Sequence, residues 1–199
     1  MSDHYRKALI GISIAGILHG CGAAHQDAGK RLEDQKDYPG AIAEYKQALQ
    51  DPNNKKDPAL HLALARCDFA NGDTKGCEEE CKASIDCDSK IPETHILLAQ
   101  AFLKDNAKNE ALEQFNMAST LDEHNAVAFL EAGKILDANG DSKGALAKYE
   151  AAVKGDDNSA DAHEAYAKAL GLSGDMAKAK TEMARAEDLR AHPPKPKTN

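Results

Sequence analysis

Imidazoles recur along this chain at His25, His61, His95 and His163, and thiols crowd at Cys67, Cys77, Cys81 and Cys87. Both groups ligate zinc, thiols pair as disulfides in oxidising compartments, and a C-x-x-C-H run attaches haem. The four histidines stand at equivalent places of successive repeats, too far apart for one ion that holds its ligands at about 2.0–2.1 Å. They read instead as planar packing residues. C-x-x-C-H is absent. Cys77 and Cys81 lie one helical turn apart with side chains pointing the same way, which disfavours a bridge between them. For the four thiols the order of expectation is buried free thiols, then one disulfide between Cys67 and Cys77, then zinc with His61 or His95. The chain has no phosphate-binding loop, dinucleotide-binding glycine pattern, zinc-protease helix motif or serine nucleophile elbow. The reading is noncatalytic, with no metal, no cofactor and no small-molecule substrate.

The elements that carry these residues repeat. "DYPGAIAEYKQAL" from Asp37 aligns with "DTKGCEEECKASI" from Asp73, "AKNEALEQFNMAS" from Ala107, "DSKGALAKYEAAV" from Asp141 and "DMAKAKTEMARAE" from Asp175. Ala41, Cys77, Ala111, Ala145 and Ala179 correspond; the first step is 36 residues and each later step 34. Four residues after each small residue comes Tyr45, Cys81, Phe115, Tyr149 or Met183, and twelve before it comes Gly29, Ala65, Ala99, Gly133 or Ala167. Three residues beyond that second set stand Leu32, Asp68, Phe102, Leu136 and Leu170, with Asp68 the outlier. "NGD" at Asn71 and Asn139 and "SGD" at Ser173 supply a glycine for a left-handed turn and an aspartate for the next helix cap. Pro58 and Pro92 suit first turns of helices. Aromatics are only 5% of the chain and Trp is absent, so small residues, mostly Ala, must fill an all-α interior.

Period and positions together resemble the tetratricopeptide-repeat family. The resemblance implies a right-handed superhelix, an α-solenoid of about five helical hairpins over 21–191, with repeats at about 22–55, 58–91, 92–125, 126–159 and 160–191. The charged last helix would form a polar end cap and 192–199 a disordered tail. Stacked hairpins leave a concave face, so the partner expected is a protein or peptide. One residue on from the core stripe, the first helices carry Leu62, Arg66, Phe69, Ile96, Gln100, Leu103, Leu130, Lys134 and Lys168. These are the groove candidates: apolar anchors in the middle and, with Lys30, a basic row for a peptide's carboxylates. The competing reading is hairpin packing plus solvated lysines. Ala63 and Leu97 stand where the chaperone-tail clamp of some relatives has Asn, so that ligand is not carried over.

With 25 basic and 33 acidic residues the net charge is -8, which argues against nucleic acid as partner. At the front, Arg6 and Lys7 precede the apolar run "ALIGISIAGILHG", and Leu18, Gly20 and Cys21 resemble a bacterial lipobox. On that resemblance 1–20 is a lipoprotein signal peptide and Cys21 the lipidated residue. Gly22 then points to the outer membrane, periplasmic face, with the membrane contacted through the lipid anchor. The alternative for this segment is an amphipathic or buried N-terminal helix. Repeat lipoproteins of this layout include pilotins for type IV pilus secretins and outer-membrane assembly factors, which implies assistance in assembling or localising an envelope complex. The alternatives are a regulatory adaptor of a cell-wall enzyme or, with the leader unprocessed, a cytosolic cochaperone.

Overall fold

The structure, a computed structural model, describes residues 22–194. The leader 1–20, the lipidation candidate Cys21 and residues 195–199 of the expected tail lie outside the described residues. Every regular element among the described residues is a helix, and two compact units divide the chain after Lys90.

In the first unit the helix over 22–34 (α1) pairs with α2 (Tyr38–Ala48), and α3 (Pro58–Ala70) pairs with α4 (Thr74–Cys87). The second unit holds three hairpins: α5 (Pro92–Lys104) with α6 (Lys108–Leu121), α7 (Ala126–Ala138) with α8 (Ser142–Gly155), and α9 (Ala160–Ser173) with α10 (Met176–Ala191). No helix among the described residues is long and apolar enough to cross a membrane.

Local chemistry sets the helix ends. Asp37, Asp57, Asp73, Asn125, Asp141, Ser159 and Asp175 each accept a backbone N–H of the first turn that would otherwise lack a partner. Within each hairpin the connection turns on one left-handed residue: Lys36, Gly72, Asn106, Gly140 or Gly174. Glycine meets this requirement in three hairpins, and Lys36 and Asn106 adopt it at φ 62° and 60°.

Packing follows the small and aromatic positions. A Cβ on Gly29 would lie 2.6 Å from the Tyr45 ring, and one on Gly133 the same distance from Tyr149, so in each hairpin the ring rests against bare backbone. In the first unit Tyr45 joins Ala41, Ala48, Leu60, Leu64 and Cys67 in one core. In the second unit Phe115 centres a cluster with Ala99, Ala111 and Ala132, and Tyr149 one with Leu130, Tyr166 and Leu170. Such Ala-lined surfaces let helices approach closely.

The histidines do more than pack. Nδ1 of His25, His61 and His163 faces Glu44, Glu80 and Glu182 at 2.6, 2.7 and 2.6 Å, and Nδ1 of His95 faces Gln114 at 2.8 Å, always nineteen residues on. In the α7/α8 hairpin the same two places hold Phe129 and Lys148, whose ammonium sits 5.3 Å from the ring centroid. Each hairpin thus has, at the same pair of places, a specific polar or cation–π contact that helps set how its second helix lies on the first.

Candidate interaction surface

In the first unit the groove candidates on α3 divide by depth. Leu62 is buried, Phe69 is half-buried and Arg66 is 51% exposed. The Arg66 Nε donates to Glu33 Oε1 at 3.1 Å, and the Tyr45 hydroxyl donates to Glu33 Oε2 at 2.8 Å. A carboxylate on α1, a phenol on α2 and a guanidinium on α3 therefore form one closed triad. Burial first, and then the bond to Glu33, pushes the Tyr45 hydroxyl far above its usual range.

Beneath this face lies the outlier of the repeat. Asp68 is buried, and its Oδ2 has no hydrogen-bond partner. Burial raises its carboxyl to about 6, against the opposing pull of Lys46. The thiols of Cys67, Cys77, Cys81 and Cys87 are all free, with Cys87 exposed and the other three buried. Cys77 and Cys81 Sγ lie 4.0 Å apart. Burial lifts the Cys67 thiol to about 12, and the contact with Cys77 followed by burial lifts Cys81 higher still. A thiol so disposed is a poor nucleophile, since the thiolate is the reactive form. Among the described residues no cluster of His, Cys, Asp or Glu is arranged to hold a metal ion.

In the second unit the candidates also sort by depth. Ile96 and Leu103 pack partly buried against the Phe115 cluster, Gln100 is half-buried, and Leu130 lies within the Tyr149 cluster. Lys134 and Lys168 remain exposed. Both meet carboxylates on their own helices: Lys134 donates to Glu131 at 2.7 Å, and Lys168 donates to Glu164, which also receives Arg190. Lys168 first, then Arg190, holds the Glu164 carboxyl at about 2. Three of the four basic groups of the row, Arg66, Lys134 and Lys168, therefore stand in ion pairs.

Between α7 and α9 these side chains border a pocket of about 310 Å³. Lys134 and Asp137 come from α7, Tyr149 from α8, and Glu164, Lys168 and Leu172 from α9. Asp161 and the half-buried Ala165 and Ala169 complete its lining, and Leu172 on the rim is 78% exposed. The sequence pattern singled out Lys134 and Lys168. Leu172 and Tyr149 were not groove candidates, because one follows the stripe by a turn and the other occupies a core position of the second helix.

Tetratricopeptide-repeat family models match residues 32–90 and 130–196. The chain is built of tetratricopeptide repeats. Solved structures agree on the fold, an all-α solenoid. A crystal structure of MamA superposes with a TM-score of 0.72 at 21% identity, covering 82% of this chain and 94% of that one. YrrB, described as a TPR protein with an unusual peptide-binding site, gives 0.67 at 17% identity, with 85% and 86% covered. PilF of Pseudomonas aeruginosa gives 0.73 at 16% identity, with 86% and 77% covered. No curated protein matches the sequence. These tetratricopeptide hairpins support a scaffold for protein or peptide partners, and the pocket bordered by α7 and α9 is a concavity on such a scaffold.

Proposed function

We propose that this chain is a noncatalytic tetratricopeptide scaffold, lipid-anchored through Cys21 at the periplasmic face of a bacterial outer membrane, that assists the assembly or localisation of an envelope complex. The observation that carries the interaction half is the α7–α9 pocket, where an exposed leucine, a buried tyrosine and several charged groups converge on one concavity. Convergent polar groups around an apolar floor suit a peptide segment better than a flat protein face. YrrB, a TPR protein described as having an unusual peptide-binding site, supports reading a repeat groove in this way.

The anchoring half rests on the residues before the repeats: basic Arg6 and Lys7, an apolar run, and Leu18, Gly20 and Cys21. Processed there, Cys21 would carry acyl chains, each contributing about 0.8 kcal/mol per buried methylene. The envelope role rests on the resemblance to repeat lipoproteins of this layout, and the likeness to PilF adds a shared fold.

The test combines two measurements in a bacterial host. Mass spectrometry of the mature protein should give an acylated N-terminus at Cys21; an unmodified Met1 in a soluble fraction defeats the anchor. A photo-crosslinker placed at Leu172 should capture a discrete envelope partner, and one at Lys75, on the second helix of another hairpin, should not. Equal capture from both positions defeats the groove.

A further inference from the structure

The pocket between α7 and α9 is an opened copy of a contact that is closed in the first unit. By repeat register, Glu33 corresponds to Asp137, Tyr45 to Tyr149 and Arg66 to Lys168. The equivalent positions of the other hairpins hold Phe69, Leu103 and Gly171, so only the first and fourth hairpins pair a carboxylate with a phenol. In the first unit the Arg66 guanidinium closes on Glu33, which also accepts from Tyr45. In the second unit Asp137 is one methylene shorter, and Lys168 turns back along α9 to Glu164. Asp137, Tyr149 and Lys168 then line the pocket without joining.

Charge bookkeeping singles out the missing group. Both ammoniums that line the pocket are committed, Lys134 to Glu131 and Lys168 to Glu164. Of the carboxylates there, Glu164 receives Lys168 and Arg190, and Asp161 receives Arg190 at 3.0 Å. Among the described residues Asp137 makes no ion pair, and its charge acts on Tyr149, whose hydroxyl is raised by burial first and by Asp137 next. Room is available as well: a Cβ on Gly171 would meet nothing within 4 Å, and the half-buried Ala165 and Ala169 leave the α9 wall low.

We infer that this pocket takes the guanidinium of an arginine side chain presented by a partner peptide, which completes with Asp137 and Tyr149 the triad that Arg66 completes with Glu33 and Tyr45. The planar fork suits a carboxylate better than an ammonium does. An arginine stem would lie along Ala165, Ala169 and Leu172 while its head reaches Asp137. A partner of basic character also fits a chain of net charge -8. This inference rests on the groove reading above and adds the chemistry of what enters it.

The test titrates the full chain with N-acetyl-arginine amide and with its lysine and citrulline counterparts, following backbone amides by NMR. Arginine should shift signals at Asp137, Tyr149 and Ala165–Leu172 and bind at least tenfold more tightly than the lysine compound or the isosteric, uncharged citrulline one. Asp137→Asn, conservative at an exposed site, should erase that preference. Lys168→Arg should fill the pocket from within and weaken arginine binding at least tenfold. Equal binding of arginine and citrulline, or retention of the preference in Asp137→Asn, overturns the inference. Crosslinking from Leu172 with no arginine preference would defeat this inference alone. Arginine selectivity with no partner captured from Leu172 would defeat the groove reading and leave the pocket chemistry standing.

Discussion

His163 and Glu182, nineteen residues apart, hold the last hairpin together: the imidazole Nδ1 lies 2.6 Å from the carboxylate, and Nε2 lies 3.1 Å from the Asp157 carbonyl. The ring thereby ties α9, α10 and the loop before α9. His61 repeats the arrangement with Glu80 and the carbonyl of Lys55. A buried polar group that loses its partner costs about 1–3 kcal/mol. Accordingly His163→Ala should lower stability by about 2 kcal/mol in urea unfolding, since both bonds are lost from a buried site. A double-mutant cycle with Glu182→Gln should return a coupling above about 0.5 kcal/mol, as expected for residues in one bonded network.

Asp68 offers a gain of stability. Its place in the repeat holds Leu32, Phe102, Leu136 and Leu170 elsewhere, and its Oδ2 is buried without a partner. Asp68→Leu should therefore stabilise the first unit by about 1–3 kcal/mol at neutral pH. The effect should also depend on pH. Folded Asp68 keeps its proton up to about 6, whereas an unfolded aspartate releases it near about 3.9. Over that window the folded state binds more protons, so this group's contribution falls as pH rises and its full cost is present above about 6. The advantage of Asp68→Leu over the parent should grow between pH 4 and 6 and then level off; a pH-independent difference would contradict the burial argument.

Gly133 is a steric prediction. A Cβ there would stand 2.6 Å from Tyr149 Cε1, closer than carbon atoms pack. Although alanine is the better helix former, Gly133→Ala should destabilise by about 1–3 kcal/mol as the ring is pushed from α7. Gly171→Ala, where a Cβ meets nothing within 4 Å, should instead stabilise by about 0.5–1 kcal/mol. Thermal melts of the two variants should move in opposite directions.

The thiols should separate by access. Cys87 is exposed, while Cys67, Cys77 and Cys81 are buried with raised pKa values at Cys67 and Cys81. Brief alkylation of the native protein followed by peptide mapping should label Cys87 and leave the other three until denaturant is added. Rapid native labelling at Cys77 would show that the α3/α4 hairpin opens readily.

Much of this protein is legible without coordinates because its rules are local. Ala, Gly and aromatic positions at a 34-residue period identify the hairpins, and Asp, Asn or Ser announces the cap of seven helices, whereas α5 and α6 begin after Ile91 and Ala107 with no side-chain cap. Even the left-handed turns at Gly72, Gly140 and Gly174 follow from the "NGD" and "SGD" strings. The surface was less legible. The stripe of Leu62, Arg66, Phe69, Ile96, Gln100, Leu103, Leu130, Lys134 and Lys168 shares one helical face, yet Leu62 and Leu130 are buried while Arg66, Lys134 and Lys168 stand exposed in ion pairs. Periodicity gives the direction of a side chain on its own helix, but not how much of it the next hairpin covers.

The repeat, most helix starts and the residue types at each register position can be read along the chain, because each depends on neighbours within a turn or on a spacing that can be counted. That Arg66 reaches Glu33 while Lys168 turns to Glu164, and that a pocket stands open beside Asp137 and Tyr149, emerges once the hairpins are stacked. Those outcomes depend on reach across stacked helices, where one methylene between Asp and Glu or the bare backbone of Gly171 separates a closed contact from an open one.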